Sequence, residues 1–281
     1  MGCAETVDFH GMPAIAWRSR DGARAIATLQ GAHLVSWTPA GGDEGLFVSG
    51  RSPFEAGRAI RGGIPVIFPQ FADRGPLVQH GFARTQAWRF DSAQASGDRT
   101  SATFVLEPSP QTLAAWPHGF RLELVATVGG SSLEVRLRVL NPGHGRFAFT
   151  AALHTYLRLA DANSARLHGL RGVGYLTRGE RARGREVRES IPAAEAIDRT
   201  YFAPPAALRV EDGKRNVRIE QAGFSDTVVW NPGREKAGAM TDMAPGGFLQ
   251  MLCVEAAAVE PPVALEAGAD WVGSQRIEVT A

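Results

Sequence analysis

SLEVRLRVLNPG, residues 132–143, alternates without interruption. Leu133, Val135, Leu137 and Val139 fall on one side of an extended chain, and Glu134, Arg136 and Arg138 on the other. That is the period of a half-buried β-strand. Asn141-Pro142-Gly143 ends it. RLELVATV, residues 121–128, precedes it as a partner strand, with Gly129-Gly130-Ser131 as the hairpin turn. Similar segments recur as GARAIATLQGAHLVSW (22–37), NVRIEQAG (216–223) and DTVVWNPG (226–233). The 32 glycines and 17 prolines are spread along the whole chain, and few stretches have helical periodicity. This spacing of short strands predicts an all-β sandwich or barrel. No repeat, low-complexity segment or break in composition divides the chain, so residues 1–281 are expected to form one domain.

Bulk composition narrows the function. Hydrophobic residues make up 44% and charged residues 21%, which suits a packed core and not disorder. Thirty basic residues against 29 acidic ones leave a net charge of +1, no footprint for nucleic acid. Cys3 and Cys253 are the two cysteines, too few for a disulfide framework and in keeping with a reducing compartment. No apolar run has the length of a membrane span, and no signal-peptide pattern opens the chain. The start MGCAET matches a loose myristoylation pattern through Gly2 and Thr6, but no basic patch follows as a second anchor. The expectation is a cytoplasmic protein without a membrane or nucleic-acid partner, and a monomer. The arginine-rich stretch TRGERARGREVRES, residues 177–190, reads as an exposed, solvated loop or hairpin with compensating glutamates.

Four stretches carry candidate chemistry. IRGGIPVIFPQF (60–71) sets one charge, Arg61, at the head of a stiff apolar run whose prolines exclude a helix and argue against an inner strand. Arg61 is either a surface residue beside a turn or an anion-binding guanidinium on rigid backbone. VQHGFARTQAW (78–88) adds His80 and Arg84 around a glycine. RFAFTAALHTYLRL (146–159), taken as one strand, puts Phe147, Phe149, Ala151, Leu153 and Leu157 on a bulky core face. Ala148, Thr150, Ala152, His154 and Tyr156 then form a face that starts small and ends polar, as the floor of a ligand cleft would. In GFLQMLCVEAAAV (247–259), Glu255 shares a face with Leu249, Met251 and Cys253. It either ends a strand in water or is buried, and burial among apolar neighbours would raise its proton affinity and suit a general base. There is no HExxH or CxxC, no GxSxG elbow, and no Walker or dinucleotide glycine pattern. What remains is acid–base chemistry without a metal or cofactor.

IRGGIPVIFPQF, QHGFAR, LHTYL, DRTY, SDTVVWNP, EKAGAMTDM and MLCVE, in this order, resemble the glucose-6-phosphate 1-epimerases of the aldose 1-epimerase (galactose mutarotase-like) superfamily. GAHLVSW and WPHGFRLEL add to the likeness, which spans Gly31 to Trp271. The resemblance implies a mostly antiparallel β-supersandwich with a concave substrate face. It also implies cofactor-free interconversion of the anomers of a hexose phosphate, with no metal. It makes His154 the general acid and Glu255 the general base, has Arg61, Gln79, Arg84 and Asp198 contact the substrate, and sets His80 beside them. On this reading Arg61 and Arg84 form a guanidinium pair for phosphate. Two positions depart from the family pattern: Gly233 stands where a tryptophan is usual, and Ala267 where a proline is usual.

Overall fold

The structure is a computed structural model that describes residues 3–180 and 182–280. Three antiparallel sheets make up the fold. The alternating segment that opens the sequence reading forms Ser132–Leu140 at the middle of a nine-stranded sheet. It pairs with Arg121–Gly129 on one side and Asp270–Thr280 on the other. The hairpin turn is tighter than expected: Gly129 and Ser132 already pair, which leaves Gly130 and Ser131 as the loop. Gly130 takes a positive φ there. The sheet continues through Arg99–Leu106 to Arg89–Ser96, and on its other flank through Asn216–Ala222, Ala207–Glu211 and Arg166–His168 to Ser190–Pro192.

The second sheet carries the site. Its order runs Arg183–Arg185, Gly174–Thr177, Ile197–Phe202, Asp226–Asn231, Met251–Leu265, Phe147–Leu153 and Val66–Ile67, with Tyr156–Arg158 also paired to Met251–Leu265. The stiff stretch 60–71 supplies only the two-residue strand Val66–Ile67, at the sheet's edge, as its prolines dictate. A smaller sheet of Ala4–Phe9, Met12–Arg18, Arg24–Thr28 and His33–Thr38 adds Trp17 and Trp37 to the main core. Gly2 of the lipidation pattern lies outside the described residues.

The core fills the space between the two large sheets. Leu133, Val135, Leu137 and Val139 meet Phe149, Ala151, Leu153, Leu157, Val254 and Ala256. Burying such faces is the main driving force for the fold, at roughly 25 cal/mol per Å² of apolar surface. One polar bridge crosses the core. The hydroxyl of Thr155 donates to Oε1 of Gln275 at 2.5 Å, and Nε2 of Gln275 donates to the Val254 carbonyl at 2.9 Å. No helix among the described residues is long and apolar enough to cross a membrane.

Three sequence expectations need correction. Residues 146–159 do not form one strand: Phe147–Leu153 and Tyr156–Arg158 flank a break at His154 and Thr155. There, the His154 amide donates to the Pro65 carbonyl and the Thr155 amide to the Leu153 carbonyl, out of the ladder. Leu249 belongs to a 3-10 turn, Gly247–Gln250, and the strand begins at Met251. The arginine-rich segment is not all solvated. Glu186 is buried and accepts from Arg188, Arg199 and Tyr201.

Candidate active site

Strand register brings the acid–base pair together. Leu153 pairs with Ala256 and Tyr156 with Cys253, so the register is unchanged across the break and His154 stands opposite Glu255. Nδ1 of His154 lies 3.3 Å from Oε1 of Glu255. His154 is 8% exposed and Glu255 1%. Neither Nδ1 of His154 nor Oε2 of Glu255 has a hydrogen-bond partner among the described residues. The face assignment made from alternation holds through the break. Tyr156 stacks on His154 with ring centroids 4.8 Å apart and planes at 9°, and Trp230 meets His154 edge-on at 6.1 Å. Below them lie Met251 and Cys253, packed with Phe47 and Met243.

Above the pair is a cavity of about 370 Å³. Of the residues expected at the site, Arg61, Gln79, His80, His154, Asp198 and Glu255 line it; Arg84 does not. Arg84 sits in the 3-10 turn Ala83–Thr85 and donates from Nη2 to the Gln79 carbonyl, fixing the backbone that carries Gln79 and His80. That loop is also clipped by Gln70, whose Nε2 donates to the carbonyls of Ala72 and Leu77 while its Oε1 accepts from the Leu77 amide. Nδ1 of His80 accepts from the Ala72 amide, which leaves the ring proton on Nε2.

Arg61 and Arg84 bond to different partners. Arg61 donates from Nε and Nη2 to Oδ2 of Asp242, at 3.1 and 2.9 Å, and from Nη1 to the Tyr156 hydroxyl at 2.9 Å. Its backbone is clamped as well: the Arg61 amide donates to Ser52 Oγ and its carbonyl accepts from the Ser49 amide. Ser49 Oγ in turn accepts from the Ala244 amide, so the turn bearing Asp242 is strapped to the same point. A Cβ on Gly63 would lie 2.1 Å from the Leu34 carbonyl oxygen, which is why the backbone beside Arg61 needs glycine.

The rim holds cations that sequence reasoning passed over. Arg178 pairs with Asp73 at 3.3 Å and Lys236 with Asp198 at 3.7 Å; all four line the cavity, as does Arg74. Asp242 lay inside EKAGAMTDM, a quoted motif, and as its one acidic residue beyond Glu235 it was the available signal. The glycine that departs from the family pattern also has a local reason. Gly233 has φ of 66° and a Cβ there would come within 2.7 Å of the Ala196 Cβ.

Burial governs the electrostatics. It pushes the Glu255 carboxyl well above the usual range, with Asp198 adding to the effect. It holds the His154 imidazole well below its usual value, with the positive field of His80, Arg61 and Arg84 in the same direction. His80 falls to about 3 through burial first and then Arg84, Arg178 and Arg61. The Asp198 carboxyl is raised by burial against the pull of Lys236 and Arg178. Both shifts run toward an uncharged pair, a protonated Glu255 beside a neutral His154.

A buried carboxyl and imidazole in register on one sheet, beneath a cavity rimmed with cations, fit proton transfer on an anionic ligand. Comparisons with known proteins agree. The aldose 1-epimerase family matches residues 13–278. The chain belongs to that family. It is 36% identical over 256 residues to a protein of Cenchrus ciliaris, covering 87% of this chain and 78% of that one. It is 37% identical over 243 residues to one of Escherichia coli K12, covering 83% and 79%. Both bear the name "Putative glucose-6-phosphate 1-epimerase". Among solved structures, a mutarotase fold from Salmonella typhimurium superposes with a TM-score of 0.91 at 29% identity, covering 99% of this chain and 94% of that one. A galactose mutarotase-like protein from Clostridium acetobutylicum shares the fold, with a TM-score of 0.78 at 14% identity, covering 99% and 98%. The all-β supersandwich expected from the sequence is the fold of this aldose 1-epimerase family member.

Proposed function

We propose that this enzyme interconverts the α and β anomers of a hexose 6-phosphate, with Glu255 as general base and His154 as general acid. The observation that carries the reading is the His154–Glu255 pair, 3.3 Å apart and buried beneath a cation-rimmed cavity. The names of the relatives from Cenchrus ciliaris and Escherichia coli support the substrate class.

The chemistry follows from where the proton sits. Carboxylate with imidazolium and carboxylic acid with neutral imidazole contain the same number of protons. From the first form, Glu255 takes the proton of the anomeric hydroxyl while His154 gives one to the ring oxygen. The bond from the anomeric carbon to the ring oxygen breaks, leaving an open-chain aldehyde and the second, neutral form. Burial favours that neutral form, so the environment of the pair drives ring opening. Rotation about the bond between the first two carbons and reclosure on the other carbonyl face return both protons. A phosphate dianion near Arg61 and Arg84 offsets their field on His154, which favours the imidazolium needed to start. Positioned proton transfer of this kind contributes ~10²–10⁴-fold. Gln79, His80 and Asp198 hold the sugar, with His80 presenting an N–H donor.

A second reading is an epimerase of free aldoses. Its support is that Arg61 already has Asp242 as counter-charge and needs no anionic ligand. Arg84, by contrast, makes no ion pair among the described residues. Exchange spectroscopy by NMR on glucose 6-phosphate and on glucose separates the two. The phosphorylated sugar is expected to exchange anomers faster by an order of magnitude or more in kcat/KM. Equal acceleration of both would favour the free-aldose reading, and no acceleration of either would remove the enzymatic one.

A further inference from the structure

Beneath the cavity, His154, Cys253 and Glu255 bring one nitrogen, one sulfur and one carboxylate oxygen within 4.8 Å of one another, all buried. Cys253 plays no part in the proton transfers above, and its thiol lies outside the cavity lining. It reaches this place because Met251–Leu265 alternates, which puts Cys253 and Glu255 on the same side of the strand, and because Tyr156, its partner in register, stacks on His154. Two of the donor groups are unsatisfied: Nδ1 of His154 and Oε2 of Glu255 are buried without a hydrogen bond among the described residues. Unpaired buried polar atoms are costly, and a ligand able to satisfy both removes that cost on entry.

We infer that this His–Cys–Glu cluster is an inhibitory site for a thiophilic divalent cation such as Zn²⁺ or Cd²⁺. The donor set suits it: imidazole, thiolate and carboxylate are the ordinary ligands of zinc, and a trio leaves a fourth position open toward the cavity. The ligands need only close from their present spread by rotamer adjustment to reach metal–ligand distances of ~2.0–2.3 Å. Charge balances. The cation displaces the thiol proton of Cys253 and the carboxyl proton of Glu255, so a dication enters while two protons leave and the buried centre gains no net charge. Magnesium and calcium, which take oxygen ligands in larger number, are not accommodated by this set. A bound cation removes both Glu255 and His154 from proton transfer, so occupancy and turnover exclude each other. The sequence concealed the site because its ligands come from two distant segments with no metal-binding spacing.

Binding can be read without activity, so failure here is distinct from failure of the proposed function. Cd²⁺ added to the metal-free chain should bind one per chain and give the near-ultraviolet sulfur-to-cadmium charge-transfer band. The band should persist in Cys3→Ser and vanish in Cys253→Ser. Zn²⁺ should inhibit anomer exchange by the wild type, Mg²⁺ should not, and exhaustive chelation should leave activity intact. Cys253→Ser, with Cys253→Ala as a second variant should the first misfold, should retain activity and require at least about tenfold more Zn²⁺ for inhibition, a loss of ~1.4 kcal/mol in binding. A charge-transfer band that survives in Cys253→Ser overturns the inference. So does full activity of the zinc-loaded wild type, or activity that is lost on chelation and restored by a divalent ion.

Discussion

The proton shared by His154 and Glu255 has two places to sit, and each variant at the pair removes one of them. Glu255→Gln keeps the shape and hydrogen-bonding capacity of the side chain but cannot accept a proton; His154→Ala removes the donor. Each should lower kcat by ~10²-fold or more with the fold retained, as judged by circular dichroism beside the NMR exchange rate. A folded variant with near-normal turnover would refute the assigned roles. Arg61 calls for a different test from the one its sequence context suggests. Removing it also strands Asp242 and the Tyr156 hydroxyl, so Arg61→Ala should damage catalysis on every sugar. Among the described residues Arg84 has no carboxylate partner to strand, which makes Arg84→Ala the cleaner probe of phosphate recognition. Its kcat/KM should fall about ten- to hundredfold on glucose 6-phosphate, the worth of a charge-assisted contact of ~1.5–3 kcal/mol, with a smaller fall on glucose from the freed Gln79 carbonyl. Asp242→Asn, which leaves Arg61 an acceptor but no counter-charge, should instead lower both sugars together. The reverse pattern in the two variants would put the phosphate on Arg61 and leave Arg84 a purely structural residue.

At the level of elements, the rim of the site depends on a hairpin held by one buried carboxylate. Gly174–Thr177 and Arg183–Arg185 pair with each other, and the first pairs with Ile197–Phe202, which carries Asp198. Glu186 follows the hairpin. Its hydrogen bonds from Arg188 first, and then from Tyr201, outweigh burial and bring its carboxyl down to about 2. A carboxyl held below its unfolded value contributes stability that is fully present above the usual range near 4.5 and is lost as pH falls toward 2. The contribution at neutral pH is on the order of 3 kcal/mol. Glu186→Gln should therefore lower the unfolding free energy at neutral pH and flatten the decline below pH 4.5, as read by urea titration. An unchanged acid limb would mean that the cluster is not what holds the hairpin. This carboxylate was invisible in the sequence, where three glutamates among five arginines read as solvated charges. Period-two alternation, by contrast, placed the strands and sorted His154 and Tyr156 onto the cavity side, because side-chain direction survives a break in the ladder. The break itself could not be read, since alternation counts positions and the His154 amide turns to Pro65, a contact between distant segments. The Asp242 clamp on Arg61 was hidden for the same reason: the partners are far apart in the chain and meet only through the strap at Ser49.

Across the whole molecule, three histidines are buried among the described residues: His80 and His154 meet edge to face with ring centroids 5.6 Å apart, His33 lies against Gly62 of the stiff segment 60–71, and burial disfavours the charged form of all three. Burial brings His33 to about 4, against the opposing hydrogen bond between its Nε2 and the Gly62 carbonyl at 2.7 Å. His80 falls to about 3 and His154 well below its usual value, burial being the first cause in each. Neutral imidazoles at His33 and His80 add no positive charge to the field of Arg84, which with burial holds both of them down. The consequence for stability has a definite sign. Between the unfolded value near 6.5 and these lowered values, the unfolded chain binds more protons than the folded one, so stability rises with pH. It is complete above about 6.5 and declines as pH falls through 6.5 toward 4 for His33 and toward 3 for His80. This window begins well above that of Glu186, so acid unfolding should show a histidine limb first and a carboxylate limb after it. Urea unfolding between pH 7.5 and 4 should give a plateau and then a fall of several kcal/mol. His33→Asn keeps a donor for the Gly62 carbonyl but cannot titrate. It should start less stable at neutral pH and lose less on acidification, so that the two curves approach one another near pH 4. Parallel curves, or a wild type whose stability stays flat down to pH 5, would show that these imidazoles charge without cost and that their burial does not govern the acid stability of the enzyme.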